Sequence, residues 1–93
     1  MAFWPSEFEE VYVLNISTKT KMTPEEVIKK AVTFFGHNGY KLKILSQMDT
    51  SISFEGQGGS VDINAYQQKD YSSIDFISRE WDFQVKEFMN TVL

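Results

Sequence analysis

The sequence contains no cysteine, a single histidine and two prolines among its 93 residues. Without cysteine there can be no disulfide, no thiolate nucleophile and no cysteine-ligated zinc. The lone His37 has no second imidazole with which to hold a metal ion. It follows a predicted helix in a Gly/Asn turn, where a positive charge complements the helix dipole and no acid–base partner is evident. We therefore expect no metal, no cofactor and no enzymatic activity.

Basic residues are also scarce, with nine Lys and Arg against thirteen Asp and Glu, for a formal net charge of −4. Nucleic-acid binders need a basic excess to neutralise phosphates, so this class is disfavoured. No apolar run approaches the roughly 20 residues of a membrane helix. The first residues lack the basic and apolar regions of a signal peptide. These absences predict a cytoplasmic protein with neither nucleic-acid nor membrane partners.

Aromatic residues, in contrast, are abundant, with eight Phe, four Tyr and two Trp, and 42% of the chain is hydrophobic. This composition is typical of one small folded domain. Residues 1–10 are predicted to form a tail in which Phe3, Trp4 and Phe8 lie among acidic residues. Residues 11–93 are predicted to form the domain.

The clearest local signal is a helix start at residues 23–26. Thr23 caps the helix, a proline takes the first helical position, and Glu26 closes a capping box. The helix is expected to run to about Phe35. Gly36 and Gly39 are expected to end it in left-handed conformations.

A second helix is predicted from about Arg79 to the C-terminus, directly after a strand that ends at Ile77. Ser78 is the expected cap. One face of this helix gathers large apolar residues at helical spacing. These residues are Trp81, Val85, Phe88, Met89 and Val92. We expect Trp81 to be the central core residue of the domain.

Alternating apolar residues predict five strands, at 11–18, 40–44, 52–54, 61–66 and 71–77. The inward residues are expected to be Tyr12, Leu14, Ile16, Tyr40, Leu42, Ile44, Ile52, Phe54, Val61, Ile63 and Ala65. Short turns join the last four strands into a meander. The opposite face is polar and carries Lys41, Lys43, Ser53, Glu55, Asp62, Asn64 and Asp75. The sequence therefore predicts an α+β two-layer sandwich: a five-stranded antiparallel sheet with two helices on one face, in the order β-α-β-β-β-β-α.

This element order resembles that of the helix-grip (START and pollen-allergen-like) proteins and of the TATA-binding-protein-like folds. The runs 54–61 and 79–82, with Phe88, also resemble small uncharacterised prokaryotic domains. Helix-grip proteins commonly hold an apolar ligand between the sheet and the C-terminal helix. The resemblance thus implies a possible small apolar ligand, in a cavity lined by Tyr12, Phe54, Ile63, Phe76, Trp81 and Phe88.

The glycine-rich run 56–59 has two interpretations. Backbone N–H groups of such a loop can cradle a phosphate. However, a strand rather than a helix follows it, and an acidic chain supplies little positive charge. A hairpin turn with positive φ angles is the favoured interpretation. Glu55 and Asp62 flank this hairpin on the polar face, where we expect solvated charge rather than an acid–base pair.

Phe83 is the residue that sheet packing does not explain, because it lies on the side of the last helix opposite Trp81. It is predicted either to be covered by the aromatic tail or to meet another chain. Phe3, Trp4, Phe8 and Phe83 are accordingly the predicted interaction surface. The sequence favours a non-enzymatic binding or protein-interaction domain, with a protein partner or homodimer, over a helix-grip carrier of a small apolar ligand.

Overall fold

The computed structural model describes residues 13–93, and the secondary structure lies in the predicted order. The predicted tail, residues 1–10, and Tyr12 lie outside the described residues. The elements are strand β1 (Leu14–Thr20), helix α1 (Pro24–Phe35), strands β2 (Lys43–Gln47), β3 (Ser51–Gly56), β4 (Gly59–Gln67) and β5 (Ser72–Arg79), and helix α2 (Asp82–Val92).

The five strands form one antiparallel sheet in the spatial order β1-β5-β4-β3-β2. The first strand lies beside the last, so the meander closes against the N-terminal part of the described chain. Phe35 of α1 packs against Phe54 of β3, and Phe88 of α2 packs against Phe76 of β5. Both helices thus cover the same face of the sheet, which confirms the predicted α+β sandwich.

Helix α1 begins as its sequence predicts. The Thr23 hydroxyl accepts a hydrogen bond from the Glu26 N–H, and the Glu26 carboxylate accepts one from the Thr23 N–H. Two N–H groups that would otherwise lack partners are satisfied by this reciprocal capping box. The cap sets the first residue of α1, whose buried residues are Pro24, Val27, Ile28, Ala31 and Phe35.

The core lies between the sheet and the two helices and is rich in phenylalanine. Alternate residues of β3, β4 and β5 point into it, as strand geometry requires. Phe35, Phe54, Phe76 and Phe88 are fully buried, with ring centroids 5.5–6.0 Å apart in the contacting pairs. Such aromatic pairs add to the energy of burying their area, which favours one arrangement of the two helices.

Strands β1 and β2 differ from their predicted bounds. β1 extends to Thr20, because the register with β5 continues to the pair Thr20–Ser72. β2 begins at Lys43 rather than Tyr40, because Lys41 takes a positive φ of 64° and interrupts the extended chain. Leu42 is buried as predicted, whereas Tyr40 and Ile44 are each 37% exposed, so placing them in the core was wrong. A bulge follows Ile44.

The glycines after α1 do not adopt the predicted left-handed conformation. Gly36 has a φ of −86°, and in residues 13–93 the one glycine with positive φ is Gly58. A Cβ atom on Gly36 would overlap the carbonyl oxygen of Val32, and one on Gly39 would overlap that of Phe34. Close backbone approach, rather than handedness, therefore explains glycine at both positions.

Helix α2 begins three residues later than predicted. Ser78 and Arg79 still belong to β5, where they pair with Val61 and Ser60 of β4. Glu80 then turns the chain with a φ of 65°, and Trp81 is the N-cap without a side-chain cap. The predicted role of Ser78 as cap is wrong. Its hydroxyl instead donates to the Asp82 carboxylate at 3.0 Å.

Within residues 13–93, none of the helices is long and apolar enough to cross a membrane.

The core assignment predicts a large difference between two phenylalanines of the same helix. Phe88→Ala should lower the free energy of unfolding by about 3–5 kcal/mol, because its ring is fully buried, and Trp81→Ala should cost a similar amount. Phe83→Ala should change stability by less than about 0.5 kcal/mol, because this ring is exposed. Urea denaturation followed by circular dichroism measures both. Equal losses for Phe83→Ala and Phe88→Ala would contradict the packing.

Candidate functional site

An aromatic cluster lies where the start of α2 meets the sheet. We call Phe34, Tyr40 and Trp81 the aromatic corner. The Tyr40 ring lies 5.5 Å from that of Phe34 and 5.6 Å from that of Trp81, both in edge-to-face geometry. Phe34 in turn contacts Phe88 of the core, with ring centroids 5.3 Å apart. The corner therefore joins the half-exposed Tyr40 to the interior of the domain.

Trp81 connects α2 to the β3–β4 hairpin. Its indole N–H donates to the carbonyl oxygen of Gly56 at 3.0 Å, and the residue is 6% exposed. A Cβ atom on Gly59 would lie 2.8 Å from Cδ1 of Trp81, so the indole packs directly on the hairpin backbone. Trp81 is buried, as predicted, but it precedes the helix and lies at one end of the sheet rather than in the middle of the core.

The glycine-rich run is a two-residue hairpin, in agreement with the favoured interpretation. Gly56 pairs with Gly59, and the two loop residues, Gln57 and Gly58, have φ angles of 50° and 80°. Positive φ at both positions is the signature of a type I′ turn, whose twist matches that of the flanking strands. The turn lies at the same end of the sheet as the N-terminus of α2.

Charged residues form a row across the open face of the sheet at the hairpin end. The register pairs Lys43 with Glu55, Glu55 with Ser60, and Ser60 with Arg79, so the four residues lie side by side on four adjacent strands. Paired side chains on one face are about 4.5–5.5 Å apart at Cβ. Lys43 and Arg79 thus flank the hairpin base from both sides.

A depression of about 640 Å³ lies beside this row and the hairpin. Its lining comprises Lys41, Leu42, Lys43, Glu55, the turn residues 56–59, Ser60 and Arg79. Three of the nine basic residues therefore lie around this depression, a grouping that the sequence did not indicate, since Arg79 was expected in a helix.

Unusual backbone conformations occur at the same end of the sheet. Within residues 13–93, the non-glycine residues with positive φ are Lys41, Gln57 and Glu80. Lys41 and Gln57 line the depression, and Glu80 lies against Gly59. Side chains in this region of backbone space are strained, and such strain persists where surrounding packing imposes it, often at functional sites.

Two smaller depressions lie elsewhere on the described surface. One, of about 370 Å³, lies between α1 and the β2–β3 turn, and its lining includes Ile28 and Met48. The other, of about 300 Å³, is lined by Lys19, Thr20, Lys21, Tyr71 and Leu93. The first brings Lys29 together with Glu25 and Asp49, whereas the second gathers Lys19 and Lys21. The Lys19 ammonium lies 4.9 Å from the centre of the Tyr71 ring.

On the open face of the sheet, the Asp75 carboxylate lies on the strand between those of Ser17 and Tyr66. The Ser17 hydroxyl donates to it at 2.6 Å, and the nearby Asp75 carboxylate raises the pKa of Tyr66. Glu55 and Asp62 share this face but pair with Ser60 and Ser53, so the two carboxylates are diagonal neighbours. A hydrogen-bonded surface of this kind stabilises the sheet and supplies no evident acid–base pair.

The residues predicted to line an apolar cavity occupy the core, apart from Tyr12, which is not described. Phe54, Ile63, Phe76 and Phe88 are fully buried, and Trp81 is nearly so. Three of the phenylalanine rings contact other aromatic rings directly. None of the three depressions is lined by any of these residues.

Of the predicted interaction surface, Phe83 is described and Phe3, Trp4 and Phe8 are not. Phe83 is 69% exposed on α2, as its helical position predicted. His37 is exposed, and within residues 13–93 no group of three or more His, Cys, Asp or Glu residues could hold a metal ion. The sequence did not identify Tyr40 as a surface residue, because the alternating pattern predicted it to be an inward residue of a strand. In the structure, the left-handed conformation of Lys41 interrupts that pattern.

Tyr40 is tied to α2 by a charge-assisted hydrogen bond. Its hydroxyl donates to Oε1 of Glu87 at 2.7 Å. Ionisation would remove this hydrogen bond and place two negative charges together, so the Glu87 carboxylate raises the pKa of Tyr40 above its ordinary value of 10.0.

This hydrogen bond predicts a pH dependence with a definite sign. The stabilisation is fully present below the ordinary tyrosine pKa and is lost as the pH rises through the raised pKa of Tyr40. Glu87→Gln should therefore lower the pKa of Tyr40, as followed by the NMR shifts of its ring. The stability difference between the native protein and Tyr40→Phe should shrink in strong alkali. An unchanged Tyr40 titration in Glu87→Gln would refute this assignment.

Comparison with known proteins identifies no relative: no protein-family model, curated protein or solved structure matches the chain.

Proposed function

We propose that this chain is a small, non-enzymatic protein-interaction domain whose contact surface is the outer side of α2. The observation that carries the proposal is Phe83, an aromatic ring 69% exposed on the helix side that does not face the sheet. Lone exposed apolar residues are common. Here, however, Glu87 lies one helical turn further along the same side, and it holds the half-exposed Tyr40 by a hydrogen bond. The two aromatic residues thus border one carboxylate.

The chemistry of this surface favours a second copy of the chain as the partner. Lys86 and Glu87 are neighbours near the middle of α2, so the helix presents both signs of charge. A two-fold axis beside this point would align two α2 helices antiparallel and bring each Lys86 toward the Glu87 of the other copy. The same axis would place each Phe83 opposite Asn90. A self-complementary patch of this kind is what a symmetric dimer requires.

The proposed lack of catalysis is supported by the residues available. A nucleophile or general base needs a partner group within hydrogen-bond reach. The single histidine is exposed in a turn. The carboxylates of the open sheet face are bonded to hydroxyls or lie diagonal to one another.

A helix-grip carrier of a small apolar ligand remains the alternative proposal. The strand order and the placement of both helices on one sheet face are compatible with it. The packing beneath α2 disfavours it, because the predicted lining residues fill the space with their own rings. A ligand there would have to displace Phe88 or Phe35, at the energetic cost of opening a packed core.

The dimer proposal predicts the effect of a charge at Phe83. Phe83→Asp should raise the dissociation constant of the dimer by at least about tenfold, because two buried rings are lost and two carboxylates are added. Size-exclusion chromatography with light scattering over a range of concentrations measures this.

Met48→Asp is the matched control, since Met48 is 70% exposed and lies in the β2–β3 turn, away from α2. It should leave the dimer unchanged. A native protein that is monomeric at all accessible concentrations, or equal effects of the two substitutions, would refute the proposal.

A further inference from the structure

The geometry points to a binding site for a small phosphorylated molecule in the depression beside the β3–β4 hairpin. This site is separate from the outer side of α2 and does not depend on the proposed dimer. It is inferred from the position of three cations, from the shape of the hairpin and from the strained residues around it.

The charges around the depression favour an anionic ligand. Lys41, Lys43 and Arg79 line the depression together with a single carboxylate, Glu55. The lining therefore carries a surplus of two positive charges, on a chain whose formal net charge is −4. A phosphate monoester carries about −1.5 to −2 charges at neutral pH, so the two complement each other. The register pairs Glu55 with Lys43, which leaves the surplus positive charge on Lys41 and Arg79, and a bound dianion offsets that surplus.

The side chains of the row supply hydrogen-bond donors that suit phosphate oxygens. Arg79 offers the planar fork that bonds two phosphate oxygens at once. Lys43 lies three strands away in the same row, across Glu55 and Ser60. The Ser60 hydroxyl lies between the two cations and can donate to the same anion. These donors project from paired strands, which hold their spacing better than loops do.

Packing and a hydrogen bond hold the walls of the depression in place without a ligand. The Trp81 indole is hydrogen-bonded to Gly56, and its ring packs against Gly59. Leu42 is buried against Gly56 from the other side. A preorganised site loses little conformational entropy on binding, so more of the interaction energy appears as affinity.

Lys41 has an unfavourable backbone conformation for a lysine. It holds a φ of 64°, a conformation in which glycine would be less strained. The chain thus retains a lysine where backbone preference favours glycine, and this lysine adds the third cation to the depression. Strain kept at a site with a specific charge is the pattern expected where the side chain has a binding role.

The size of the depression indicates what else the ligand carries. About 640 Å³ lies within the range of about 300–1,000 Å³ that is typical of small-molecule sites. It exceeds what a phosphate group alone would fill. The remaining lining combines the turn backbone and the Gln57 side chain with the apolar side chain of Leu42, so the rest of the ligand can present both polar and apolar groups.

The test is an NMR titration of the full chain with inorganic phosphate, and with citrate as the carboxylate probe, at matched ionic strength. Phosphate should shift the amide signals of residues 41–43, 56–60 and 79. Arg79→Gln and Lys43→Gln should each weaken phosphate binding by at least about tenfold. The matched control is Lys69→Gln, because Lys69 is exposed in the β4–β5 turn at the other end of the sheet. It should change the affinity by less than about twofold.

Lys41→Gly separates binding from folding. This variant removes a cation and relieves the strained backbone, so it should melt at the same temperature as the native protein or higher, while binding phosphate more weakly. Equal losses in Lys69→Gln and Arg79→Gln would show diffuse attraction of anions and overturn the site. Binding of citrate as tight as that of phosphate would overturn the assignment to phosphate. Signal shifts spread over all lysines would overturn both.

Discussion

The hydrogen bond from the Trp81 indole to the Gly56 carbonyl is the constraint on which the structure around the β3–β4 hairpin depends. It joins the residue before α2 to the end of β3. The same indole contacts Tyr40, and Tyr40 contacts Phe34 of α1 and bonds Glu87 of α2. One aromatic side chain therefore sets the positions of both helices relative to the hairpin. A partly buried hydrogen bond adds a directional constraint to this arrangement that packing area alone would not supply.

Much of the fold follows from local sequence signals. The capping box at Thr23, the period-two alternation of β3 and β4, and the glycine-rich hairpin each agree with the structure. These signals depend on neighbouring residues and on burial of one face, so they are readable without a partner strand. The order of elements and the placement of both helices on one face then follow from the need to cover a single apolar surface.

The errors share a physical cause, because they occur where tertiary contacts override local preference. The helical spacing of Trp81 with Val85 and Phe88 suggested an earlier start for α2. Pairing of Ser78 and Arg79 with β4 keeps these residues in the sheet instead. The alternation around Tyr40 suggested a longer strand, which the left-handed Lys41 interrupts. Left-handed lysine and glutamate carry no signal in a single sequence, so the cationic depression they border could not be predicted.

Strand β2 has a consequence for the behaviour of the protein at high concentration. It is an edge strand of the sheet, and among the described residues it pairs with β3 alone. It is five residues long, carries a lysine and contains a bulge. Each of these features hinders a strand of another molecule from pairing with this edge. Although its side chains include the exposed Leu45, the strand is a poor template for growth of a cross-β fibril.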